Sequence, residues 1–145
     1  MLSTHLKDTV TFQDSVSSWE ESIKVAAEPL LNQGNIKESY IEKMINNVHE
    51  FGPYIVIVPG VAMPHAQNAG EVNSTGVSLL KLEKPVLYPE DKEVSLILVL
   101  AATDSDGHLD LISTLAEVLS EEDTKEGLEK AESKEEILRL IESAE

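Results

Sequence analysis

The chain has 145 residues, no cysteine, and a formal net charge of -16 from 27 Asp and Glu against 11 Lys and Arg. A chain of this length buries a core without crosslinks, the lack of cysteine excludes a disulfide framework and thiolate chemistry, and the acidity excludes nucleic acid, whose phosphates are bound through Lys and Arg. No apolar run reaches the roughly 18 residues of a membrane span, and His5, Lys7 and Asp8 interrupt the segment where a signal peptide would be apolar, so the expectation is one soluble, cytoplasmic domain over residues 1–145.

Residues 9–12 predict a short strand. Ser17 and Ser18 then stand three residues before Glu20 and Glu21, two overlapping capping-box candidates. The helix they announce has Ile23, Ala26, Ala27 and Leu30 on one face, extended by Trp19, and breaks at Asn32-Gln-Gly34-Asn. A second helix carries Ile41, Met44, Ile45 and Val48 and stops at Phe51-Gly52-Pro53. Residues 54–58, Tyr-Ile-Val-Ile-Val, are β-branched and apolar with an aromatic at the head, which predicts a buried strand. His65 follows in a loop stiffened by Pro59 and Pro64.

Residues 68–76 are polar and glycine-bearing, and residues 77–82 read as a strand bounded by Lys84-Pro85. Residues 94–100 form the second strong apolar run and read as a central strand. The loop after it, Thr103-Asp-Ser-Asp-Gly107-His108, leads into a helix with Ile112, Leu115, Ala116 and Leu119 on its apolar side, so His108 falls in or near the first turn. Residues 123–145 predict one or two short helices, with Ser133 and Glu136 in capping-box spacing and Ile137, Leu140 and Ile141 inward; the acidic residues here form a solvated surface. Helices before, between and after strands predict a layered α/β domain, a mixed β-sheet flanked by helices.

His65 and His108 are 43 positions apart, yet each follows a predicted central strand. Both reach one sheet edge only if those strands are parallel neighbours. His5 and His49 lack such placement. With a third ligand from Asp104, Asp106 or Asp110 the pair could hold a divalent metal for hydrolysis, but aspartates before a helix usually serve as cap and turn. Neither G-x-S-x-G nor a P-loop is present. The remaining chemistry is nucleophilic: a neutral imidazole nitrogen attacks phosphorus and carries the phosphoryl group covalently, which needs the other ring nitrogen held by an acceptor. Arg139 is the only arginine and lies in the final helix; a phosphate held tightly would call on arginine forks, so any phosphate here is one that is passed on.

The run Gly52-Pro-Tyr-Ile-Val-Ile-Val-Pro-Gly-Val-Ala-Met-Pro-His65, with Thr75-Gly-Val-Ser-Leu79, resembles enzyme IIA components of the bacterial phosphoenolpyruvate-dependent phosphotransferase system (PTS), most of all the ascorbate-type group within the mannitol/fructose class. The resemblance implies an α/β sandwich, no cofactor or metal ion, and a phosphoryl carrier. Phosphorylated HPr would donate to His65, which would donate to a cysteine of enzyme IIB, with the sugar phosphorylated later at the membrane transporter, enzyme IIC. His108 matches the second histidine of the class, implied to hydrogen-bond and orient the phosphoryl group. Mannitol- and fructose-type members also carry an arginine at the phosphate that Arg139 cannot replace; Gln67, backbone N–H groups of the loop, and Ser74 or Thr75 are the candidate donors. Val61, Ala62 and Met63 are candidates for an apolar docking rim. The alternatives are a regulatory phosphoprotein with the same histidine chemistry and a metal-dependent hydrolase.

Overall fold

The computed structural model describes residues 2–145. Four strands, β1 (Val10–Gln13), β2 (Gly60–Ala62), β3 (Gly76–Tyr88) and β4 (Lys92–Ala101), form one sheet in the order β1-β3-β4-β2. β1 runs parallel to β3 and β2 parallel to β4, while β3 and β4 are antiparallel, so the sheet is mixed. Side chains alternate across the sheet as strand geometry requires. Val77, Leu79, Leu96, Leu98 and Leu100 face one way, and Leu80, Leu82, Ile97 and Val99 the other.

Helices α2 (Trp19–Asn32) and α3 (Glu38–Phe51) bury Ile23, Ala26, Ala27, Leu30, Ile41, Met44, Ile45 and Val48 on the second face, the stripes that their sequences predict. Ser18 caps α2 by accepting the Glu21 N–H at 3.1 Å, and Gly52, at φ 84°, ends α3 with its N–H on the Val48 carbonyl. The other face is covered by α1 (Leu2–Leu6), α4 (Ser105–Ser120), α5 (Glu122–Lys130) and α6 (Lys134–Ala144). No described helix is long and apolar enough to cross a membrane.

Four expectations change. Residues 54–58 are not a strand: Tyr54 N–H bonds Gly52 O, Val56 N–H bonds Pro53 O, and Val61 N–H bonds Val58 O, so the run is spent in successive turns beside Pro53 and Pro59. Only Ile55 is fully buried in it, and pairing with β4 passes to Gly60, Val61 and Ala62. The Pro85 boundary fails because β3 continues to Tyr88, the proline falling in an irregularity between Lys81 and Val86 where no ladder N–H is needed. The inward face of α4 is Leu111, Leu115, Val118 and Leu119, one step round from the predicted stripe, which leaves Ala116 exposed. In α6, Ile137 and Ile141 are buried while Leu140 is only partly so.

Candidate active site

Because β2 and β4 are parallel neighbours, their carboxyl ends share one edge. His65 stands three residues beyond β2, and His108 lies in α4, which begins four residues beyond β4. The rings meet edge to face, with centroids 5.0 Å apart at 72°. Tyr54 meets the His65 ring at 5.7 Å and 88°, its hydroxyl 3.4 Å from the His65 carbonyl oxygen.

The His65 Nδ1 is 2.6 Å from the Met63 carbonyl oxygen. A carbonyl only accepts, so Nδ1 carries the proton and Nε2 keeps its lone pair. The backbone around the ring is tied at both sides. Leu100 N–H donates to Pro64 O at 3.0 Å. The Ala66 N–H donates to Tyr40 Oη at 3.1 Å, and that hydroxyl lies 2.6 Å from Leu100 O and 3.2 Å from Ala66 O. Burial holds the His65 pKa below the ordinary histidine value; the bond to Met63 opposes this and His108 adds to it. Burial lowers the His108 pKa as well. Burial pushes the Tyr40 phenol up to about 12 against the opposing bond to Ala66, so it remains a hydroxyl at neutral pH.

His108 is held through its helix. The Asp104 carboxylate caps α4 by accepting the Gly107 N–H at 2.7 Å, and His108 N–H donates to Asp104 O at 3.1 Å. That cap is the work the Asp104 carboxylate does, and among the described residues no group of three or more His, Asp or Glu is gathered as a metal site.

Among the described residues, none of the remaining predicted side chains is hydrogen-bonded to either histidine ring. Gln67 is exposed, and its carbonyl accepts from Lys43 Nζ at 2.6 Å. Thr75 Oγ1 accepts the Thr103 N–H at 3.3 Å, which ties the start of β3 to the loop before α4. Ser74 Oγ accepts from Asn35 Nδ2 at 2.9 Å. Arg139 lines a surface hollow with Gly127, Lys130 and Leu140. Val61, Ala62 and Met63 are 0%, 0% and 1% exposed and make no docking rim: Val61 and Met63 pack into the core on one face of the sheet and Ala62 into the core on the other. The apolar side chains exposed beside the histidines are Tyr54 (42%) and Leu109 (62%).

Sequence reading missed Tyr40, Lys43 and the Met63 carbonyl. Tyr40 reads as one more member of an apolar helix face, Lys43 as an ordinary surface lysine, and a carbonyl has no side-chain signal at all. Tyr54 left a trace, an aromatic at the head of the run before His65.

The chain is thus an α/β protein with a mixed sheet between helix layers and two imidazoles converging beyond two parallel strands. The family profile for "Phosphoenolpyruvate-dependent sugar phosphotransferase system, EIIA 2" matches residues 5–144. The chain belongs to that family, and is thereby a phosphotransferase component. It is 35% identical over 136 residues to the mannitol-specific cryptic phosphotransferase enzyme IIA component of Escherichia coli strain K12, covering 93% of this chain and 92% of the relative. To the ascorbate-specific PTS system EIIA component of the same strain it is 29% identical over 136 residues, covering 92% and 88%. The solution structure of the mannitol-specific cryptic enzyme IIA from E. coli superimposes with a TM-score of 0.89 at 34% identity, covering 98% of each chain.

Proposed function

We propose that the protein is a cytoplasmic phosphoryl carrier in which His65 Nε2 is the atom that bears the phosphoryl group. The observation that supports this most directly is the 2.6 Å contact of Nδ1 with the Met63 carbonyl, which leaves Nε2 as the free nucleophile. In the forward step a P–N bond forms at Nε2 as the P–N bond to the donor histidine of HPr breaks, and the electron pair stays with the donor imidazole. In the second step the phosphorus passes to a cysteine thiolate of enzyme IIB, and Nε2 recovers its lone pair. Enzyme IIC then uses the phosphoryl group during uptake. His108 orients the group, and the exposed Gln67 amide, two residues past His65, is a further donor. Thr75 acts through the Thr103 loop that it holds. The cargo is ascorbate or a related sugar or polyol, the range that the ascorbate-specific and mannitol-specific relatives span.

The test is phosphorylation from phosphoenolpyruvate with enzyme I and HPr. An acid-labile label is expected on the parent and none on His65→Ala. His108→Ala is expected to keep the label but acquire it about 100- to 1,000-fold more slowly, the scale of one hydrogen-bond donor to a reacting group. Label retained in His65→Ala refutes the assignment, and complete loss in a folded His108→Ala reverses the two roles. Transfer onward to an enzyme IIB cysteine separates a carrier from a regulatory phosphoprotein.

A further inference from the structure

The Tyr40 side chain is fully buried between α3 and the sheet, yet its oxygen makes no contact with another side chain's polar group. It serves backbone alone: it accepts from Ala66 N–H at 3.1 Å and approaches the Leu100 and Ala66 carbonyls at 2.6 and 3.2 Å. Ala66 is the residue after His65, and Leu100 is the penultimate residue of β4, the strand that leads to His108. Leu100 N–H in turn holds Pro64 O, on the other side of His65. One phenol thus closes a ring of hydrogen bonds through both histidine-bearing segments. A Phe at this position would fill the same apolar space and leave the buried Ala66 N–H without an acceptor, which the loop relieves only by moving.

We infer that Tyr40 is a positioning residue for phosphoryl transfer, its hydroxyl setting the His65 loop against the end of β4 and so the placement of Nε2 relative to His108. This rests on the reading of His65 as the phosphoryl acceptor. Tyr40 touches neither reacting atoms nor any partner surface, so its loss lowers the maximal rate and leaves the HPr concentration for half-maximal rate unchanged.

The experiment compares Tyr40→Phe with Tyr88→Phe. Tyr88 is also a buried phenol of the same core, bonded to Ser22 at 2.7 Å, but it pairs with Lys92 at the start of β4, the end of that strand away from the histidines. Both variants remove one buried hydroxyl and keep the aromatic ring in the core, and Ser22 retains its bond to the Trp19 carbonyl when Tyr88 loses its own. Tyr40→Phe is expected to lower the maximal labelling rate by about 10- to 100-fold, the scale of a displacement near 1 Å at a reacting centre. Its nitrogen NMR spectrum is expected to lose the uniform Nδ1–H tautomer of His65. Tyr88→Phe is expected to remain within about twofold of the parent, as for a site remote from the reacting atoms. Equal rates in the two variants, or an unchanged His65 tautomer in Tyr40→Phe, overturn the inference. If Tyr40→Phe does not fold, amide exchange of the parent decides. Ala66 N–H protected like the core strands supports the anchoring role, and Ala66 N–H exchanging as fast as Gln67 N–H overturns it. A parent that takes no label, or a label that survives His65→Ala, defeats the carrier reading whatever Tyr40→Phe does.

Discussion

At the residue scale, burial keeps the pKa values of His65 and His108 below the ordinary value of 6.5. The unfolded chain takes up these protons near 6.5, and the folded chain only at lower pH. The stability associated with two neutral imidazoles is therefore complete above 6.5, is lost as pH falls from there toward the folded values, and changes no further below them. The same neutrality keeps Nε2 available in mildly acidic solution. In a proton NMR titration both ring resonances are expected to move with midpoints below 6.5; a midpoint above it for His65 would mean that the Met63 carbonyl outweighs burial.

At the element scale, the placement of His108 depends on how α4 begins. Asp104→Ala removes the cap on Gly107 N–H and is expected to cost about 1 kcal/mol of stability, as other N-caps do. Ser133→Ala removes the corresponding cap on Glu136 N–H at the start of α6, with a similar cost. The two are expected to differ in phosphoryl transfer: only Asp104→Ala loosens the turn that carries His108 and slows labelling. Denaturant melts and labelling rates on the two variants check this, and equal rates would detach the cap from the site. Both caps were readable as motifs, since a serine or aspartate and the N–H it accepts lie within one turn. α1 was not readable. Its first N–H groups, of Leu2 and Ser3, are held by the Glu145 carboxylate at 2.8 and 3.1 Å, a contact across nearly the whole chain.

At the scale of the whole molecule, the net charge of -16 sets the response to salt. Three lysine–carboxylate ion pairs join described residues, and two of them, Lys125 with Glu129 and Lys130 with Glu126, lie along α5. Most of the acid therefore faces solvent and repels itself, which opposes the folded state. The melting temperature is expected to rise by a few degrees as NaCl increases from about 10 to about 200 mM, over which the Debye length falls from roughly 30 to under 10 Å. A melting temperature that falls over this range would show that attractive pairs dominate. The acidity belongs to the molecule as a whole: the histidines lie at the edge shared by β2 and β4, and no Asp or Glu side chain is hydrogen-bonded to either ring among the described residues.

Neighbours within a turn or a few residues decide the caps of α2, α4 and α6, the glycine stop of α3, the apolar stripes of α2 and α3, and the run of β4, and these were legible in the amino-acid sequence. It also showed two histidines, each in the loop or first helical turn after an apolar run. Periodicity and capping act over one or two turns, so they leave a readable pattern. That β2 and β4 are parallel neighbours, which turns 43 positions of chain into 5.0 Å between rings, was settled by long-range packing. Packing also settled that the β-branched run after Pro53 forms turns while Gly60, Val61 and Ala62 form the strand, and that a tyrosine on α3 ties both histidine segments together. Strand adjacency and buried hydrogen bonds arise from burying distant surfaces against each other, and local pattern does not encode which surfaces those are.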